Sequence, residues 1–267
     1  MRPCILSLVL LCATTLVFQS KADDEPSPEL KALITKFRQD LKSKTPQVRA
    51  SAYATVAELG DKAKSERRAM CEGMLDNAPI VRTAAADCLK KIDEQTYKVA
   101  IALAINKDSE TIGEAQKLGK EGAPLIPLIL KIAGDISPAA SNAKNKSLGA
   151  QAKLRHCVYA LCAIDPDDTS VNQAVLRMLS NPVPEMRSAA VDNISKLKNK
   201  KLGLNGLATI AASTQDAIST RTYAIGMMPE LTDVNTEASA KKVLESLRFD
   251  KEPKVREAVE SALKKFK

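Results

Sequence analysis

The chain has 267 residues, a net charge of +8, 3% aromatic residues, no tryptophan and one histidine, His156. A single histidine excludes a Ser-His-Asp triad built without it and any metal centre with several histidine ligands. So few aromatics exclude a stacking platform for bases or sugars, and a charge of this size bears on acidic partners rather than on fold.

In chain order, MRPCILSLVLLCATTLVFQSKA comes first, with Arg2 near its start and then an uncharged, mostly apolar run to Ser20. Its strongly apolar part, residues 5–18, is too short to span a bilayer comfortably, which takes about 20 apolar residues. Ser20 and Ala22 place small residues where a signal peptidase reads, and the following DDEPSPE is abruptly polar. A secretory signal over 1–22, cleaved after Ala22, is therefore expected, with the product periplasmic or secreted. Bulky Leu11 argues against lipidation at Cys12. Removing Arg2 and Lys21 from a chain of net charge +8 leaves +6.

Cys71, Cys88, Cys157 and Cys162 remain, too few for a disulfide scaffold. Cys157 and Cys162 fall ~140° apart around one predicted helix and cannot bridge each other. Cys71 and Cys88 lie on consecutive predicted helices and could pair, or all four could be small buried residues.

A short acidic, proline-containing linker over 23–28 leads into SPELKALITKFRQDLKS, which sets Leu30, Leu33, Ile34, Phe37 and Leu41 on one helical face. Ser27 stands where a cap belongs and Pro28 at the first helical position. TPQVRASAYATVAEL follows, and its wording recurs: APIVRTAAADCLKKI, VPEMRSAAVDNISKL, AISTRTYAIGMMPEL and EPKVREAVESALKKF align on Arg49, Arg82, Arg187, Arg221 and Arg256. Core-forming residues fall at −1, +3, +7 and +10 from the arginine, for example Val81, Ala85, Leu89 and Ile92. Steps of four, four and three hold one face of an α-helix, whereas a strand needs steps of two.

Arg49 to Arg82 spans 33 residues, Arg187 to Arg221 34 and Arg221 to Arg256 35. QAKLRHCVYALCAID fits as a weaker copy, with Leu154 at the arginine position, 72 residues after Arg82. That gap holds one more period, for which DSETIGEAQKLG (Ile112, Ala115, Leu118) is the best candidate. APLIPLILKIAG and VNQAVLRMLSN read as partner helices. A period in the thirties built of helices means stacked hairpins.

The P-x-V-R-x-x-A pattern, strongest over 46–59, 79–92, 184–197 and 253–266, resembles the second-helix signature of HEAT-repeat proteins, with armadillo proteins as close neighbours. The resemblance covers nearly the whole mature chain. It implies an all-α, right-handed α-solenoid of about seven hairpins over 29–267, and with the leader it is similar to secreted HEAT-like proteins of some bacteria. The repeat signature comprises Pro46, Arg49, Pro79, Arg82, Pro184, Arg187, Arg221, Pro253 and Arg256. The prolines start second helices. The resemblance further implies that each arginine bonds an aspartate of the inter-helix turn, forming a ladder. Asp76 and Asp250 stand six residues before Arg82 and Arg256, and Asp216 five before Arg221. Ser43 and Asn181 stand there for Arg49 and Arg187, where the ladder is expected to be incomplete.

The chain contains no G-x-G-x-x-G, P-loop, G-x-S-x-G, H-E-x-x-H or C-x-x-C. His156, Cys157 and Cys162 do not converge on one helix side as a zinc site would require. Among enzymes on HEAT-like scaffolds, deoxyhypusine hydroxylase needs paired His-Glu motifs, and the DNA glycosylases use tryptophan in a basic cleft; this chain supplies neither. Bilin lyases are opposed only by the export signal. The basic runs at 142–146 and 196–201 read as solvated loops. Residues 134–149, with Gly134, Pro138 and Gly149, read as an inserted loop longer than hairpins need, and Lys144 and Lys146 in it as candidate partner contacts. The expectation is an exported, non-catalytic scaffold or adaptor that binds a protein or peptide on its curved surface. It has no cofactor, does not bind nucleic acid, does not span a membrane, and associates at most weakly with anionic surfaces. A lyase or isomerase is the alternative, recognisable by a perturbed carboxylate or thiol facing the groove.

Overall fold

The structure, a computed structural model, describes residues 27–140, 142, 147–197 and 199–266. The expected leader, the expected cleavage site and the expected linker up to residue 26 therefore lie outside the described residues, as do Lys144 and Lys146. Among the described residues there is no strand, and fourteen α-helices pair into seven hairpins. These are α1 (Pro28–Asp40) with α2 (Pro46–Ala57), α3 (Arg67–Gly73) with α4 (Pro79–Ile92), α5 (Glu94–Asn106) with α6 (Ser109–Lys117), and α7 (Ile126–Ala140) with α8 (Leu148–Ile164). Then follow α9 (Thr169–Leu179) with α10 (Pro184–Ile194), α11 (Lys200–Ala212) with α12 (Ile218–Met227), and α13 (Glu237–Ser246) with α14 (Pro253–Leu263). The chain is an all-α helical-repeat solenoid.

Local chemistry starts and stops these helices where the sequence indicates. Ser27 Oγ accepts the Leu30 amide at 3.2 Å, and Pro28, Pro46, Pro79, Pro184 and Pro253 each occupy the first turn, where a missing N–H is harmless. Asp93, Asp108 and Asp168 cap α5, α6 and α9 through their carboxylates. Gly60 and Gly119 both adopt φ +53°, a left-handed turn that suits glycine. Each opens a 3-10 segment, Gly60–Glu66 or Gly119–Leu125, that leads into α3 or α7.

The helical register places the core. Val81, Ala85, Leu89 and Ile92 are buried, as are Met186, Ala190, Ile194 and Leu197. Leu154 is buried in α8, and α6 carries buried Ile112 and Ala115, so both weak copies are second helices. Second helices pack on one another from α2 to α4, α6 to α8, α8 to α10 and α12 to α14. The third hairpin departs from this order: α4 packs against α5, and α3 packs against α7 and the 3-10 segment before it. Ion pairs brace that junction. Arg67 reaches Asp93 at 2.6 Å and Glu121 at 3.3 Å, and Arg68 pairs with Asp168.

The loop expected over 134–149 is corrected. Helix α7 continues to Ala140 because its apolar spacing continues: Ile129, Ile132, Ala133 and Ala140 are buried and Ile136 is half-buried. Gly134 and Pro138 sit on its exposed side, and α8 begins at Leu148. The stretch 119–140 is long and apolar enough to cross a membrane by length and composition, but here it packs against α3 and α8.

Candidate functional site

The signature arginines are wired differently from the sequence expectation. The guanidinium of Arg49 makes two bonds of 2.8 Å to Asp76, in the turn of the following hairpin. Arg187 reaches Asp216 and Arg221 reaches Asp250 in the same forward sense. Toward its own hairpin each of four arginines bonds a backbone carbonyl six residues back: Arg49 to Ser43, Arg82 to Asp76, Arg187 to Asn181 and Arg256 to Asp250. Asp76 and Asp250 therefore each serve two neighbours, the carbonyl taking one arginine and the carboxylate the arginine of the hairpin before.

Arg49 and Arg187, for which no acid precedes, thus have carboxylate partners. Arg82 and Arg256, which follow Asp76 and Asp250, reach only backbone carbonyls. Side-chain atoms of Ser43, Asp76, Asn181 and Asp250 also accept the amide two residues on, at 2.8–3.2 Å. Partnership with Arg49 holds the Asp76 carboxyl below its ordinary range, and partnership with Arg221 does the same for Asp250. Arg187 and Arg221 are buried, so at these two positions the ladder connects hairpins rather than facing solvent.

The thiols are also interior. All four cysteines among the described residues are free and buried. Burial pushes Cys71, Cys88 and Cys157 up to about 12 and Cys162 to about 11. Burial therefore favours the neutral thiol form in all four. Among the described residues, no group of three or more His, Cys, Asp or Glu could hold a metal.

Polar and aromatic side chains instead gather on the exposed side of the second helices. On α8, α10 and α12, Tyr159, Asp192 and Tyr223 meet across three consecutive hairpins. The Tyr159 hydroxyl donates to Asp192 Oδ2 at 3.0 Å, and the Tyr223 phenol lies near enough to the same carboxylate to be raised by it. Burial and then the Asp192 carboxylate raise both phenols above their ordinary value. Lys196 Nζ lies 5.3 Å from the Tyr159 ring centroid, and His156 Nδ1 is 3.1 Å from Ser109 Oγ. A depression of about 220 Å³ lies between α8 and α10, lined by Arg155, His156, Tyr159, Ser188 and Asp192 among others.

The sequence reading did not single out this cluster, although a signal for it exists. Tyr159 and Asp192 both stand five residues after their arginine position, and Tyr223 two after Arg221. The +5 position faces away from the −1, +3, +7, +10 stripe, and the +2 position flanks it. Two of the chain's four tyrosines on the solvent side of a helical repeat are a pattern that burial alone does not require.

No protein-family model matches this chain, and neither does any curated protein. Similar solved structures include human deoxyhypusine hydroxylase in complex with glycerol, 15% identical over 89% of this chain and 88% of that one, with a TM-score of 0.39. An engineered protein is 12% identical over 90% of this chain and 96% of its own, with a TM-score of 0.33. A designed armadillo repeat protein is 18% identical over 87% and 99%, also with a TM-score of 0.33. Likenesses this distant assign neither a family nor an activity.

Proposed function

We propose that this chain is an exported scaffold of the HEAT type that binds an extended protein segment along the exposed side of its second helices. The observation that carries the reading is the Tyr159–Asp192–Tyr223 cluster, which spans three hairpins without serving the core. Two phenol rings around a carboxylate suit a lysine or arginine side chain of the bound segment, through cation–π and charge-assisted contacts. Stacked repeats supply such a surface with no reactive group. The lyase or isomerase alternative calls for an activated thiol or carboxylate on this face. The buried thiols, raised to about 11–12, and an Asp192 that already accepts from the Tyr159 phenol speak against it.

Site-specific photocrosslinking in the exporting cell tests the reading. A crosslinking residue in place of Tyr223 should capture a discrete partner, whereas one in place of Lys131, exposed on the first helix α7, should not. Capture should weaken when Asp192→Asn is combined with Tyr159→Ala. Equal capture from both positions, or capture indifferent to Asp192, would remove the cluster from the binding surface.

A further inference from the structure

The two ends of the solenoid are chemically unlike. At the C-terminal end the outer surface of α14 is polar, a shallow depression lined by Arg256, Glu257, Glu260, Ser261 and Lys264 with Pro253. At the N-terminal end, α1 and α2 instead enclose a groove of about 340 Å³ floored by Leu33, Phe37, Val48, Ala52, Val56 and Leu59.

The repeat register identifies what is missing there. Val48 stands just before Arg49, a position whose later copies are Val81 at 1%, Met186 at 0% and Val255 at 0% exposure, while Val48 is 40% exposed. Each of those copies has a hairpin before it to cover that position; α2 has none before α1 among the described residues. Leu33 on α1 is likewise 40% exposed. The stretch adjoining α1, QSKADDEP, has no large apolar side chain that would fill the groove.

We propose that this groove is a twofold interface, closed by the same groove of a second copy of the chain. Apolar surface then meets apolar surface, whereas head-to-tail stacking would set it against the charged face of α14. The rim supports a twofold. Lys36 and Asp40 lie one helical turn apart on α1 and both line the groove. Neither side chain pairs within the described chain. A twofold axis sets Lys36 of each copy against Asp40 of the other, a self-complementary arrangement that an isologous contact requires. The groove shares no residue with the second-helix cluster, so a failure of one leaves the other standing.

Light scattering coupled to size exclusion, on the mature chain from Asp23, tests it. The chain should dimerise with concentration, and Val48→Asp should be monomeric with an unchanged helical spectrum. Lys36→Asp and Asp40→Lys alone should each raise the dimer Kd by at least about tenfold, because each sets like charges together twice. An equimolar mixture of those two variants should recover the dimer, since each copy then meets opposite charges. A wild-type chain that stays monomeric, or variants that mixing does not rescue, would overturn the proposal. So would dimerisation only by a chain shortened to start at Ser27, which would mean that residues 23–26 cover the groove themselves.

Discussion

Replacing Arg187 with alanine should be far more damaging than the same change at Arg82. The side chains of Arg187 and Asp216 are 10% and 1% exposed, and Arg187 also donates to the Asn181 carbonyl at 2.6 Å. Truncation leaves Asp216 buried without its cation, a loss of about 3–5 kcal/mol. Arg82 is exposed and contacts two backbone carbonyls, at 2.9 and 3.0 Å. Its removal should cost about 1 kcal/mol, since water can take over those carbonyls. With a urea slope of about 3 kcal/mol per molar, the midpoint falls by about 1–1.7 M for Arg187→Ala and about a third of a molar for Arg82→Ala. Urea titration followed by circular dichroism reads both. Arg187→Met combined with Asp216→Leu should recover most of the loss, because the isolated charge is then gone. Equal midpoint shifts at the two sites, or a larger one at Arg82, would refute the forward wiring of the ladder.

Two further outcomes follow from the ionisation of interior groups. Asp76 and Asp250 are held below their ordinary pKa by Arg49 and Arg221, so their contribution is present above the unfolded value, about pH 4, and is lost as pH falls through the folded values. Urea midpoints measured at stepped pH should be flat from neutrality to about pH 5 and then drop, and Asp76→Asn should start lower and drop less; a steeper acid loss in the variant would contradict this assignment. A disulfide-exchange reagent at mildly alkaline pH should leave Cys71, Cys88, Cys157 and Cys162 unmodified in the folded chain and label them only in denaturant, and rapid labelling of the native protein would show that a thiol is accessible.

The period of the arginines and the apolar stripe behind them were enough to read the hairpin stack, because both record which side of each helix is buried. The direction of the ladder was not legible. A spacing of six identifies the turn residue, but whether its carboxylate faces its own arginine or the preceding one depends on how hairpins stack. Gly134 and Pro138 misled for a related reason: they read as breakers, yet they lie on the wet side of a helix whose buried side continues through Ile136 to Ala140. Nothing in the spacing signals that α3 meets α7 past the third hairpin, a contact between residues distant in sequence. The Tyr159–Asp192–Tyr223 cluster was written in the register, at positions opposite or flanking the stripe used to find the repeats.

The forward wiring also bears on how such a chain can change length. Arg187 and Arg221 are 34 residues apart, and so are Asp216 and Asp250. Excising 34 residues from this part of the gene, one donor and one acceptor together, would bring Arg187 opposite Asp250 and leave every remaining connection matched. Duplicating the same stretch would add one connection of identical chemistry. Unequal recombination within this region therefore preserves the arginine–aspartate pairing when it lengthens or shortens the protein. The same event around α3, whose arginines reach α5, the turn before α7 and α9, would break pairings that no neighbouring unit replaces.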